Sequence, residues 1–367
     1  MESVRNIKKF DFWKQNTDLE KITFLLGYAI LAPSYYNSQP WLFKISDNKC
    51  KFYLNPKIKL KEGDSEERNL HMSLGCAIEN IIIASRYFGV LGKIDTLLEN
   101  GKYIGTEITF DFKKLLSDSE NNLQLDKEYE KLVDYIPFRQ NAKGSFKNTP
   151  IPADIISRLS MFAFLDDFSG LRIDFLTNRE QIITLGNIVV SGIKQKFKNK
   201  LYRVELSVWL HNNFRAKKEG LLINSQNSLS LLSMIISYLI PYMNVGSFFA
   251  KADLKSFKTA PVACVIGGWE EQVPVLSSDS NKSLKTKPET WVNAGRLTQR
   301  LLLEFAARGY NTSIFSSATE SGNTFKEIQK LVGMTERPEL IFCVGQINKG
   351  HKFTSRFEAK EKIESKI

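Results

Sequence analysis

The chain has 367 residues, 43% hydrophobic and 25% charged, an ordinary composition for a soluble globular protein. That length exceeds one typical core and points to two domains or one large intertwined domain. Against 40 Asp and Glu, 51 Lys and Arg give a net +11, but the lysines are scattered among acids rather than gathered on one stripe, so a nucleic-acid surface is set aside and anionic small-molecule ligands fit as well.

Cys50, Cys76, Cys264 and Cys343 form no C-x-x-C pair, and His71, His211 and His351 form no cluster. Reduced buried thiols and no metal site are expected. The first residues, M-E-S-V-R-N-I-K-K-F, lack an apolar signal core, so a cytoplasmic protein is expected.

Thr17 and Glu20 have capping-box spacing, and a helix is predicted over roughly 18 to 31. Pro33 ends it, and A-P-S-Y-Y-N-S-Q-P-W follows, with Ser34, Asn37 and Gln39 between two prolines. The residues allow two readings: a turn in which Ser34 and Asn37 bond their own backbone, or a rigid polar loop aimed at a ligand. Trp41 to Ile45 and Cys50 to Leu54 read as a hairpin, and the chain is polar to Asn69 before a helix from Met72 to Val90. S-D-S-E-N-N-L-Q-L-D-K-E-Y-E-K, residues 117–131, reads as a linker or exposed helix.

In F-R-Q-N-A-K-G-S-F, Arg139, Asn141 and Lys143 alternate, so on an extended stretch they share one face suited to a phosphate and a neighbouring electron-rich group. Residues 221–250 carry no charge but too many serines for a membrane span, and read as a buried helix or an apolar lid, with membrane-surface contact the lesser option. P-V-A-C-V-I-G-G and P-E-L-I-F-C-V-G read as buried strands on either side of a helix, A-G-R-L-T-Q-R-L-L-L-E-F-A-A-R-G-Y. That helix echoes the earlier one: Gly295 and Gly309 are spaced like Gly75 and Gly89, with Leu301 to Leu303 in register with Ile81 to Ile83. The echo implies two halves about an approximate internal two-fold axis.

Together, A-P-S-x-x-N-x-Q-P-W after a helix, R-x-N-x-K-x-x-F opening a second unit, the G-x13-G helix and S-R-F near the C-terminus resemble the FMN-dependent nitroreductase family, above all its Acg-like branch of two fused halves. The resemblance covers nearly the whole chain. It implies an α+β nitroreductase-like fold, internally duplicated, a pseudo-two-fold single chain mimicking a family dimer. Half one, residues 1–120, would supply the flavin-contacting loop. Half two, residues 121–367, would supply the basic strand, the lid-like insertion and the basic tail.

On that resemblance Arg139 and Asn141, helped by Arg356, hold the phosphate and ribityl end of FMN, and Lys143 lies near the pyrimidine edge. Pro33, Ser34, Asn37 and Gln39 meet the flavin from the other half, and Ile314 and Ser316 line its ring. Ser316 stands where many family members carry an acid. Arg5 precedes Pro33 by the same 28 positions that separate Arg139 from Asp167, yet Ile7 and Lys9 stand where half two has Asn141 and Lys143. Half two in turn has D-D-F-S-G where half one has its polar loop, so one FMN per chain is expected.

The implied activity is hydride transfer from NADH or NADPH through FMN to a flat electrophile, a nitroaromatic or quinone. The alternative is a protein that sequesters FMN under a lid. The partner is a small-molecule electron acceptor, with no nucleic acid and no membrane span, in a monomer or homodimer.

Overall fold

The computed structural model describes residues 3–113, 127–142, 144–211, 217–222, 238–268, 287–320, 323–348 and 353–364. The capping box forms as its spacing predicts: Thr17 Oγ1 accepts from the Glu20 amide, and the Glu20 carboxylate accepts from the Thr17 amide. Helix α1 therefore runs Asp18–Ala29. A hairpin follows, β1 (Trp41–Ser46) and β2 (Lys49–Leu54), then helix α2 (Arg68–Tyr87), β3 (Leu91–Glu99) and β4 (Lys102–Phe110). Helix α3 spans Lys127–Tyr135 and α4 Ala153–Ser160, followed by β5 (Leu171–Leu176), α5 (Arg179–Lys198) and α6 (Lys200–Trp209).

Two short strands, β6 (Leu210–His211) and β7 (Leu221–Leu222), pair in parallel, and α7 (Gly246–Phe257) leads into β8 (Val262–Gly268). The second half closes with α8 (Lys287–Ala306), β9 (Asn311–Phe315), α9 (Ser317–Glu320), α10 (Thr324–Val332), β10 (Arg337–Gly345) and α11 (Ala359–Lys362). Of the uncharged stretch, residues 223–237 lie outside the described residues, as do 117–126 of the acidic segment.

The two four-stranded sheets have the orders β1-β2-β4-β3 and β5-β8-β10-β9, every neighbouring pair antiparallel. Counted within each half, both read first, second, fourth, third, with α2 and α8 each placed between the second and third strands. The halves thus repeat one topology. They differ in how the sheet is covered. On β8, Ala263 and Val265 enter one core while Val262, Cys264 and Ile266 enter another, so the strand is buried on both faces and shows no alternation. The first sheet buries Trp41, Phe43, Cys50, Phe52, Ile108 and Phe110 on one side only.

Both G-x13-G glycines have a structural cause. A Cβ on Gly75 would come within 2.0 Å of the Val292 carbonyl oxygen, and one on Gly295 within 2.0 Å of that of Met72, so α2 and α8 cross where neither tolerates a side chain. Gly89 and Gly309 have φ of 69° and 81° and end their helices, with Val90 N donating to Ser85 O and Tyr310 N to Phe305 O. Helix α2 starts at Arg68 rather than near Met72, because the polar first turn is tied across the halves. Arg68 is buried, with Nη1 donating to Glu339 Oε2 at 2.8 Å and Nη2 to Thr319 Oγ1 at 2.5 Å.

A boundary at residue 120 separates the sheets but not the packing. Tyr129, Leu132 and Val133 of α3, and Ile136 beyond it, join the core of the first half. At the other end, Glu364 N donates to Phe43 O at 2.8 Å, laying the C-terminal tail along β1. All four cysteines are free and buried.

Candidate functional site

The polar loop between the prolines is fixed in an unusual backbone conformation. Tyr36, Asn37 and Gln39 have φ of 51°, 53° and 47°. Asn adopts that region readily, whereas Tyr and Gln pay on the order of 1–2 kcal/mol each, strain that the surrounding contacts must offset. Ser34 Oγ accepts from the Gln39 amide at 3.0 Å, the local turn bond expected of it, and Tyr35 N donates to Ser73 Oγ of α2 at 3.0 Å. Asn37 reaches further: its Nδ2 donates to Ser355 O at 3.3 Å and Lys218 O at 3.4 Å. Gln39 donates to Lys218 O at 2.7 Å and accepts from Phe357 N at 2.9 Å. Gln39 is therefore fully buried as a clamp between the loop, residue 218 and the tail, and does not line the adjoining cavity.

That cavity, about 470 Å³, lies where the two halves, the loop and the tail meet. Pro33, Ser34, Asn37, Arg139, Asn141, Ile314, Ser316 and Arg356 line it, eight of the ten site residues expected from sequence. Lys143 lies outside the described residues. Asn141 joins the edge of β9: Ala142 N donates to Thr312 O at 2.6 Å, and Asn141 Oδ1 accepts from Ile314 N at 3.0 Å. Only Asn141 bridges β9, Arg139 N still donating to Tyr135 O at 2.8 Å at the end of α3, and the Asn141 side-chain carbonyl is already used in holding β9.

One end of the cavity is strongly cationic. Arg139 is 5% exposed, and its Nε and Nη1 have no hydrogen-bond partner. Arg356 donates to Asn37 Oδ1, to Thr354 Oγ1 at 2.6 Å and to Ala32 O at 3.3 Å, leaving its Nε unpartnered. Arg5 donates to Pro137 O at 2.7 Å, lies 4.2 Å over the Phe353 ring, and also has a free Nε. Among the described residues none of the three forms an ion pair with a carboxylate.

Burial, then the neighbouring Arg139, lowers the Arg5 guanidinium to about 10. Burial lowers Arg139 to about 10 as well, against the raising influence of Cys76. Arg356 falls well below its ordinary value through burial, then Arg5 and Arg139. Two buried cations and a half-buried third sharing one wall are unfavourable unless an anion joins them, and their forked donors match a phosphate.

A second group of lining residues is mainly aromatic and apolar. The Tyr35 and Tyr36 rings stack at 4.1 Å, and Tyr35 OH donates to Tyr36 OH at 3.2 Å, which donates to Tyr202 OH at 3.1 Å. Phe197, Leu206, Leu210, Leu221 and Phe249 extend that wall, and Asp253, near Tyr202, adds a carboxylate to the lining. A site with a basic end and a flat apolar end suits an amphiphilic ligand with a phosphate and a planar ring system.

Arg5, Cys76, the tyrosines and Phe353 were not identified as site residues from sequence. The equal spacing made Arg5 look like the counterpart of Arg139 in a separate site, whereas the structure puts both in one cavity. The loop sequence itself contained Tyr35 and Tyr36, but their hydroxyl partner Tyr202 is 166 positions away.

The pseudo-symmetric position is filled. Cys76, one residue after Gly75, lines the cavity, while its counterpart Arg296, one after Gly295, pairs with Glu79 at 3.3 Å and Asp167 at 3.6 Å. Arg300 joins Glu79 at 3.4 Å, and Arg86 joins Asp167 at 3.3 Å. These residues form an ion cluster, buried at Glu79, Arg296 and Arg300 and exposed at Asp167, on the α8 side of the helix crossing.

The chain matches no protein-family profile. Over 78 residues, 21% of this chain, it is 28% identical to two putative NAD(P)H nitroreductases of Mycobacterium tuberculosis, one from each of two strains. The match spans 23% of the length of those relatives. Similar solved structures include a nitroreductase with bound FMN from Desulfitobacterium hafniense, with TM-score 0.37 and 13% identity, covering 65% of this chain and 99% of that one. Another is the FMN- and NADPH-dependent nitroreductase NfnB of a sphigopyxis strain, with TM-score 0.38 and 12% identity, covering 64% and 98%. Over that 78-residue segment the chain is similar to these putative nitroreductases.

Proposed function

We propose that this protein is an FMN-binding, NAD(P)H-dependent oxidoreductase that reduces a flat electrophile, a nitroaromatic or a quinone. The observation that carries this reading is the cavity wall of Arg139 and Arg356, both buried, and half-buried Arg5, three guanidiniums with unpartnered N–H groups and, among the described residues, no ion pair to a carboxylate, in a cavity that also has an aromatic wall.

FMN would be held by those arginines at its phosphate, with Ile314, Ser316 and the Pro33–Asn37 loop against its ring. When bound, FMN supplies the two-electron chemistry between the nicotinamide and the acceptor. The chain's own residues bind, orient and exclude water. The arginines fix the anionic end, and the strained loop, clamped through Gln39, holds Tyr35 and Tyr36 in place. Phe197, Leu206 and Phe249 keep water from the apolar end, and neutral Tyr35, Tyr36 and Tyr202, whose pKa values burial raises, offer a hydroxyl line to an acceptor's polar group. The reading needs no nucleophile.

The test is anaerobic titration of the yellow protein with NADPH and with NADH. Bleaching on a turnover timescale, followed by recolouring on addition of a quinone, is expected. Colour that persists with both nucleotides overturns the reductase in favour of sequestration, and a colourless protein that takes up no FMN overturns both.

A further inference from the structure

We infer that the outer face of α6 and α7 is a docking surface for an anionic phospholipid bilayer, on which the protein lies without crossing it. Leu201, Val204 and Val208 fall at i, i+3 and i+7 of α6 and are 61%, 41% and 64% exposed. Tyr242 and Phe248, before and within α7, are 70% and 63% exposed. These large apolar side chains belong to one region, because a ring ladder links the two helices. Phe248 contacts Phe249 at 5.8 Å, Phe249 stacks on Phe197 at 5.3 Å, and Phe197 contacts Tyr202, beside Leu201, at 5.5 Å. Gly246 packs tightly on Phe197, where a Cβ would come within 2.6 Å of the Phe197 Cβ, so the start of α7 is pinned to the end of α5.

Charge identifies the occupant. Residues 191–211 and 238–258 carry eight basic and two acidic side chains, a net +6 of the whole chain's +11, in about a ninth of its length. Lys194, Lys198, Lys200, Lys251 and Lys255 are all exposed. Three of these charges turn inward: Glu205 accepts from Gly63 N at 2.8 Å and Glu62 N at 3.0 Å, Asp253 lines the cavity, and Lys196 pairs with Glu320, leaving the exposed lysines to set the surface charge. Exposed aromatic and branched side chains ringed by lysines match an anionic lipid surface, where the apolar groups enter the headgroup boundary and each lysine adds attraction. No helix among the described residues is long and apolar enough to cross a membrane. The inner sides of the same helices, Tyr202 and Leu206 of α6 and Phe249 of α7, form the apolar wall of the cavity.

The test is co-sedimentation of the full chain, as purified, with vesicles of phosphatidylcholine alone and of phosphatidylcholine mixed with phosphatidylglycerol. Binding to the mixed vesicles only, weakened by salt, is expected. Lys198→Gln with Lys200→Gln should weaken it roughly 25-fold, at about 1 kcal/mol per lysine. Val208→Asp with Phe248→Asp should abolish it while the circular dichroism spectrum is kept; should that pair unfold, the lysine pair carries the test. Failure to sediment with the mixed vesicles at low salt overturns the inference, as does binding that neither pair reduces. A concentration-dependent dimer that Val208→Asp dissolves, with no vesicle binding, assigns the face to a second copy instead. None of these outcomes depends on the flavin reading.

Discussion

Gly75 and Gly295 face each other's helices reciprocally. The first abuts the carbonyl of Val292 and the second that of Met72, each with room of only 2.0 Å for a Cβ. The contact joins the two halves and also sets the site, because α2 carries Met72, Ser73 and Cys76 into the cavity and α8 carries Thr298. Backbone cannot yield as a flexible side chain does. Gly75→Ala and Gly295→Ala should each destabilise by about 1–3 kcal/mol or more and weaken FMN binding, read by urea unfolding and flavin fluorescence. Gly89→Ala has open space and a φ of 69°, so only about 1 kcal/mol should be lost, with FMN affinity kept.

Removal of Arg139 should move two measurements in opposite directions. In the ligand-free protein its guanidinium is buried without a carboxylate, so Arg139→Met should leave stability unchanged or raise it. FMN affinity should fall by about 1.5–3 kcal/mol, the worth of hydrogen bonds to a charged group, whereas riboflavin, which lacks the phosphate, should bind as before. Thermal unfolding without ligand and fluorescence titration with both flavins check this. Equal losses for FMN and riboflavin would sink the phosphate assignment.

Legibility in the sequence followed the range of the interaction. The glycine spacing showed the paired helices because crossing and capping each demand glycine at a fixed position. The two prolines bounded the loop for reasons internal to it. The partners of Asn37 and Gln39 could not be read, since the carbonyl of Lys218 and the amide of Phe357 that they bind lie about 180 and 320 positions away and carry no side-chain signature. Equal spacing does not give equal position for Arg5, which shares one cavity with Arg139. Its guanidinium instead turns to Pro137 O, beside Arg139. The polar run before Met72 hid the first turn of α2, since a buried Arg68 is stable only with Glu339, 271 positions on.

The tail that closes over the loop should make stability depend on alkaline pH. Lys362 donates to Gln39 O at 2.8 Å and lies 4.2 Å from the Phe357 ring, and burial lowers its ammonium to about 8. A lysine pKa below its unfolded value near 10.5 means that the folded state disfavours the charge, so the unfolded chain binds more protons between the two values. This group's contribution to unfolding free energy should therefore rise as pH increases from about 8 towards that value. Lys362→Met should remove that rise. Urea unfolding of both proteins at neutral and alkaline pH compares the slopes, and a steeper rise in the variant would refute the assignment.

Titration of the apoprotein with FMN should end at one equivalent per chain. Asp167, in the short turn ahead of β5, takes part with Arg296, Glu79, Arg300 and Arg86 in an ion cluster beside the α2–α8 crossing. Glu79 is its buried centre at 2% exposed, so Glu79→Ala leaves two guanidiniums without their shared carboxylate and should cost about 3–5 kcal/mol. Stoichiometry should nevertheless stay at one in that variant, because Arg296 still stands where Cys76 opens the real cavity and no set of unpaired arginines has been supplied with a loop to match. Two equivalents of comparable affinity in the native chain would mean that the cluster opens to admit a second ligand, and the single-site reading would fall with it.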